Sequence, residues 1–237
     1  MERCRSLRLY IALDDTDTID STVGTGRLAR LVMDELRADH VVTFGVSRHQ
    51  LLRDPRIPYT AKNSANVLHL EGDKEDLPGL ADRVERLMRA HFQPGSDPGL
   101  CVGGGVPQAV VDFGQRAQRE VLTQSEAMAL AARHGLVLRG LGGTCGGVIG
   151  ALAGVGLASS GEDGRFIAIG RVRDLTGVLP VADLLGAGIS AVWTVEGQVV
   201  ADGQVDTGGK LRPSVRGGQA VLYVERVDGL WRALRFD

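Results

Sequence analysis

Cysteine is scarce in this chain: Cys4, Cys101 and Cys145 are odd in number and never spaced as C-x-x-C. That argues against a disulfide framework and against a zinc ribbon. Long apolar runs are missing as well. The most apolar stretch, Val148 to Ala158, is 11 residues, whereas a membrane-spanning helix needs about 20. Met1 to Arg8 is polar and basic and lacks the apolar core of a signal peptide. A reducing cytoplasm is the expected setting, with no membrane partner. Nor is there an excess of one charge: the formal net charge is −2, so no global basic field draws in a large nucleic acid, although a local patch can still do so. Internal repeats and low-complexity tracts are absent. With 43% hydrophobic and 24% charged residues over 237 positions, what remains is an ordinary globular chain, long enough for one large domain or two small ones.

The chain is organised around Leu9 to Thr18 and its continuation Gly24-Thr25-Gly26. The apolar run reads as a buried strand. It ends in Asp14, Asp15 and Asp17, which a core cannot hold, so the acids must emerge at the strand's carboxyl end. Carboxylates converging on one loop repel unless a cation neutralises them, and Mg²⁺ typically takes one or two carboxylates plus phosphate oxygens. The plainer alternative is an acidic turn that caps the next helix. It accounts for one or two acids, not for three plus Asp20, and a metal-nucleotide site is preferred.

Further along, Arg27 to Arg37 carries one apolar helical face and His40 to Val46 reads as a strand. Arg48 to Asn66, with Pro55 and Pro58, reads as a long ordered loop, and Asn66 to Leu70 as a short strand. Pro78 to Phe92 is the clearest helix, and Pro94 to Gly99 breaks the chain. Ala109 to Phe113 reads as a strand. Thr123 with Glu126 forms a capping box that opens a helix ended by Gly135. A strand over Leu136 to Arg139 leads into glycine-rich Gly140 to Gly156. From Arg165 onward short alternating runs sit between glycine turns, and Asp228-Gly229 signals a type I′ hairpin. The expected divisions are 1–96, 97–164 and a small β module, 165–237.

Two further stretches can carry chemistry. Gly142, Gly143, Gly146 and Gly147 follow a strand and enter a helix, a place where backbone N–H groups can cradle a phosphate. No Gly-Lys-Ser/Thr follows, so this is not a Walker A loop; a tight turn with close helix packing is an equal alternative. Arg53 to Asn66 gathers Arg56 and Lys62 with Tyr59 and several amides, suited to phosphate or carboxylate recognition and to stacking. The five histidines, His40, His49, His69, His91 and His134, do not cluster by spacing and read as surface or strand-end residues. Cys145 reads as a small residue in a glycine turn.

Three of these stretches line up in order with a known family. Asp14-Asp15-Thr16-Asp17-Thr18, then Thr25 before Leu28-Ala29, then Asp54-Pro55-Arg56-Ile57-Pro58-Tyr59 with Lys62, and last Gly140 to Ala153, together resemble the catalytic half of archaeal tRNA-isoleucine agmatidine synthetase and its stand-alone relatives. The match spans Leu7 to Gly156. The resemblance implies an α/β (α+β) chain with a kinase-like α/β domain beside a ferredoxin-like half, using ATP and Mg²⁺. It implies that the acidic loop holds Mg²⁺ and that Thr25 can receive a phosphoryl group. There are departures: Gly24 and Gly26 replace a Cys and a second Thr, and Thr60-Ala61 stands where Lys-Thr is usual. No zinc ribbon or full OB-fold is evident, which counts against tRNA as a partner.

The expected function is that of a Mg²⁺- and ATP-dependent phosphotransferase or ligase-like enzyme acting on a small-molecule or RNA acceptor. Asp14, Asp15 and Asp17 are the candidate metal and catalytic residues, with Thr25. Thr16, Gly24, Gly26, Arg56, Lys62 and the four turn glycines are candidates for nucleotide or phosphate binding. One alternative is a non-catalytic nucleotide- or metabolite-binding module. A less favoured one is a haloacid-dehalogenase-type phosphatase, whose later acidic motif is unconvincing because Asp73 and Asp76 come too early.

Overall fold

The computed structural model describes residues 7–39, 41–60, 62–72 and 76–236. Cys4, His40, Ala61 and Asp73 lie outside the described residues. The chain forms two compact units, Met1–Ser160 and Gly161–Asp237, and is mixed α/β.

The first unit runs β1 (Leu7–Asp14), α1 (Thr25–Ala38), β2 (Thr43–Gln50), β3 (Ser64–Gly72), α2 (Leu77–His91) and β4 (Gly99–Gly104). It continues with α3 (Gln108–Ala117), α4 (Gln124–His134), β5 (Val137–Gly140) and α5 (Val148–Ser160). Its strands are ordered β5-β4-β1-β3-β2 and every pairing is antiparallel. The βαββαβ order of residues 7–104 with β1 and β3 central is the ferredoxin-like split βαβ arrangement. β1 is central because it is apolar on both faces: Leu9, Ile11, Ala12 and Leu13 are all buried.

On one face of this sheet Ala12, Ala65, Val67 and Cys101 pack with α3 and α5. Helix α5 is apolar all round, as expected of a helix enclosed on every side. Its glycines set how closely it lies. A Cβ on Gly154 would come within 2.8 Å of the Ala65 methyl, and one on Gly156 would overlap the Val110 carbonyl of α3.

One expectation fails here and one strand goes unread. Ala109 to Phe113 is not a strand but part of α3, whose buried face is Val110, Val111, Phe113, Gly114 and Ala117. A five-residue, mostly apolar segment fits either element, and the continuation of the stripe to Gly114 and Ala117 decides for helix. The strand is β4, hidden in Gly-Leu-Cys-Val-Gly-Gly, a sequence of poor β propensity. Its glycines answer to space: a Cβ on Gly99 would overlap the Gly147 backbone, and one on Gly103 would come within 2.8 Å of the Leu136 side chain.

The histidines correct another expectation. His49 and His69 are completely enclosed, and both Nε2 atoms lie 2.7 Å from Ser47 Oγ. Burial first, then His49 and Arg8, pushes the His69 pKa down to about 3, and Tyr10 meets its ring edge-on.

The second unit contains β6 (Arg165–Ile169), a 3-10 turn (Val172–Asp174), β7 (Val178–Pro180), α6 (Val181–Gly186) and β8 (Ala191–Thr194). β9 (Gln204–Asp206), β10 (Ser214–Arg216), β11 (Gln219–Val227) and β12 (Leu230–Ala233) follow. It has its own core, in which Leu184, Ile189, Val192, Val205, Leu222 and Val224 are buried. Asp228 (φ 48) and Gly229 (φ 84) turn β11 into β12 with both residues left-handed, as the hairpin signal predicts. No helix among the described residues is long and apolar enough to cross a membrane.

Candidate active site

The acids emerge at the carboxyl end of β1, where the sequence puts them. Asp14 is the last strand residue and is buried, its carboxylate pressed onto α5 so that a Cβ on Gly150 would overlap Oδ2. Burial first, then Asp15 and Asp17, pushes its pKa up to about 8 against the pull of the Asp15 amide. Asp15 is a non-glycine residue at φ 51, a conformation that costs energy and recurs at functional sites. Burial, then Asp97 and Asp17, raises its pKa to about 6.

Thr25 is the first residue of α1. Gly24 is the N-cap and no side chain caps the helix, so a capping role for Thr25 is not what its hydroxyl does. Thr25 Oγ1 accepts from Thr16 N (3.3 Å) and Thr16 Oγ1 (3.0 Å) and donates to Asp17 Oδ1 (3.1 Å). A Cβ on Gly24 would approach Asp17 Oδ2 to 3.1 Å.

The glycine turn, for which a phosphate cradle and a tight packing turn are equal alternatives, holds an aspartate of its own chain. Asp97 Oδ1 accepts from Thr144 N (2.7 Å), its Oδ2 from Thr144 Oγ1 (2.5 Å), and its main-chain oxygen from Gly147 N (2.9 Å). The amide of Gly147, a candidate for an external anion, and that of neighbouring Thr144 thus already hold oxygens of an internal aspartate. Gly143 adopts φ 57, and a Cβ there would overlap Asp97 Oδ1. The turn is also tied to α4, because Gln124 Nε2 donates to the Thr144 carbonyl. Its glycines wrap a side chain from another loop. Asp97 was missed because it sits in a Ser-Asp-Pro-Gly turn, which reads only as a chain break.

The basic loop between β2 and β3 spans residues 51–63, shorter at both ends than the 48–66 read from the sequence because β2 and β3 extend into it. Leu51 N donates to the Asn63 carbonyl and Asn63 Nδ2 to the Leu52 carbonyl, closing its base. Asp54 accepts from the Arg56 amide and from both Nε and Nη2 of Arg56. The Arg56 guanidinium is therefore already paired within its own loop.

These segments enclose a cavity of about 250 Å³. Asp14, Asp15, Asp17, Thr25, Arg56, Lys62, Gly146 and Gly147 line it, as do Tyr59 and the unanticipated Asp97, Glu120, Gln124 and Thr144. Thr16, Gly24, Gly26, Gly142 and Gly143 do not. Among the described residues no group of three or more His, Cys, Asp or Glu is placed to hold a metal ion. One or two of these carboxylates could hold a hard cation whose remaining positions were filled by phosphate oxygens. The upward pKa shifts of Asp14 and Asp15 come first from burial and only then from repulsion among the acids, and a bound cation would relieve the second part.

No family model and no curated protein matches the sequence. Solved structures do. Crystal structures of TiaS with an isoleucine tRNA and ATP, and of TiaS with the same tRNA, AMPCPP and agmatine, each match at 26% identity and a TM-score of 0.54. This chain resembles TiaS, a tRNA agmatidine synthetase. A crystal structure of a tRNA fluorescent labeling enzyme matches at 28% identity and a TM-score of 0.56. Each likeness covers 63% of this chain and 36% of the other, so the chain matches only about a third of the length of TiaS.

Proposed function

We propose that the chain is a Mg²⁺- and ATP-dependent phosphotransferase or ligase-like enzyme related to TiaS, acting on a small-molecule or RNA acceptor. The observation that carries this reading is the convergence of three distant stretches on one cavity: the acidic loop, the Arg56–Lys62 loop and the glycine turn. Two of the matched structures are complexes with ATP or AMPCPP. In this reading Mg²⁺ is held by one or two of Asp14, Asp15 and Asp17, and neutralises phosphate charge when bound. The uncapped start of α1, with Thr25, faces the phosphates, since helix amides without partners attract anions. Lys62 and Arg56 offset charge on the transferred group, Arg56 on release from Asp54. Tyr59 offers a stacking face.

The competing reading is a binding module that holds nucleotide without turning it over. It is favoured by the Arg56–Asp54 pairing, which occupies a cation that catalysis would use. Thermal shift with ATP in the presence and absence of Mg²⁺, followed by phosphate release with and without tRNA, separates the two. The enzyme reading expects Mg²⁺-dependent stabilisation, about 2.7 kcal/mol at 100 times Kd, together with turnover. Stabilisation without phosphate release from ATP, with or without tRNA, supports the module, and no stabilisation removes both readings.

A further inference from the structure

We infer that Thr16 is a positioning residue that aims the Thr25 hydroxyl, an assignment resting on the proposed reading of Thr25 as phosphate-facing. Thr16 is buried, 2% exposed, and does not line the cavity, so contact with a ligand does not account for it. Its backbone is anchored from the far side, where its carbonyl accepts from Gln93 N at 3.0 Å. From that fixed base it presents two donors, amide and hydroxyl, to one atom, Thr25 Oγ1.

The direction of the chain of hydrogen bonds follows from the groups. A carboxylate accepts, so Thr25 gives its single proton to Asp17 Oδ1. Thr25 then has only lone pairs for Thr16, and Thr16 must give its own proton. The result is a one-way relay, Thr16 to Thr25 to Asp17, in which each bond polarises the next. A threonine on a helix can hold its hydroxyl in two rotamers, and the relay selects one. It also ties the start of the acidic loop to its end across nine positions.

Thr16→Val tests this, because it keeps the branched shape and the amide and removes only the hydroxyl. Thr16→Ser restores the hydroxyl, and Thr25→Val is the reference. With Mg²⁺–ATP as probe, Thr16→Val is expected to lower kcat roughly tenfold or more, as small misplacements of a reacting group do. Its Kd stays within about threefold, since no ligand contact is lost, and Thr16→Ser returns kcat to near the wild-type value. Loss of turnover in Thr25→Val with wild-type turnover in Thr16→Val overturns this inference alone. Wild-type turnover in both variants overturns the reading of Thr25 as well. A second measurement needs no ligand: urea unfolding of both single valine variants and the double. The relay predicts that the double variant loses less stability than the two singles added together. A double equal to the sum overturns the inference whatever the activity.

Discussion

Asp14 sits where a carboxylate is hard to ionise, closed in by α5 and beside two other acids. Its folded pKa of about 8 and the value of about 6 for Asp15 both lie above the ordinary 3.8. Through these two groups the folded chain binds extra protons between about pH 4 and pH 8, and their contribution to stability falls as pH rises through that window, while His69, held neutral by burial, works the other way below its ordinary 6.5. The melting temperature of the ligand-free protein is expected to drop from about pH 6.5 to pH 8, where His69 is largely neutral folded or unfolded and Asp14 is the group still titrating. Asp14→Asn should flatten most of the drop and raise the melting temperature at pH 8 by a few degrees, since 1 kcal/mol is roughly 2–4 °C at this size. The same variant should bind Mg²⁺–ATP more weakly. Calorimetry across pH checks the first part and titration the second; a profile parallel to wild type would remove this account of Asp14.

At the level of elements, signals confined to a few neighbouring residues were readable. Thr123 accepts from the Glu126 amide and Gly135 is left-handed at φ 67, as the capping box and the terminal glycine announce. The acids at the end of β1 were readable too, because charge cannot continue into a core. The Glu126 side chain, however, pairs with Arg116, a partner no local motif contains. What stayed hidden was set by contacts between distant residues: Asp97 with Thr144, His49 with His69, and the glycines of β4 and α5 that fit a neighbour rather than a turn. Gly156 gives a test. A methyl there would overlap the Val110 carbonyl and lie 3.2 Å from the Val111 Cα. Gly156→Ala should cost about 1–3 kcal/mol in overpacking, despite a helix propensity gain of about 1 kcal/mol. Gly186→Ala in α6, where nothing lies within 4 Å, should be neutral or stabilising. Chemical denaturation of both variants makes the comparison; equal effects would mean that close approach does not explain Gly156.

Across the whole molecule, every described residue lining the cavity precedes Gly161, the start of the second unit. A chain ending at Ser160 is therefore expected to remain soluble and to bind Mg²⁺–ATP as the full chain does, measured by thermal shift and gel filtration. An insoluble product would mean that the first unit needs the rest of the chain to fold. The overlap of a Gly150 Cβ with the Asp14 carboxylate has a further consequence, one of timing. During synthesis the acidic loop leaves the ribosome well before its seat on α5, which is made some 136 positions later. Non-local pairing of this kind folds slowly, and residues 7–104 already contain the whole ferredoxin-like array. A nascent chain halted at residue 104 would carry the acidic loop without the wall it closes against, and nucleotide capture would begin only once Gly150 has emerged.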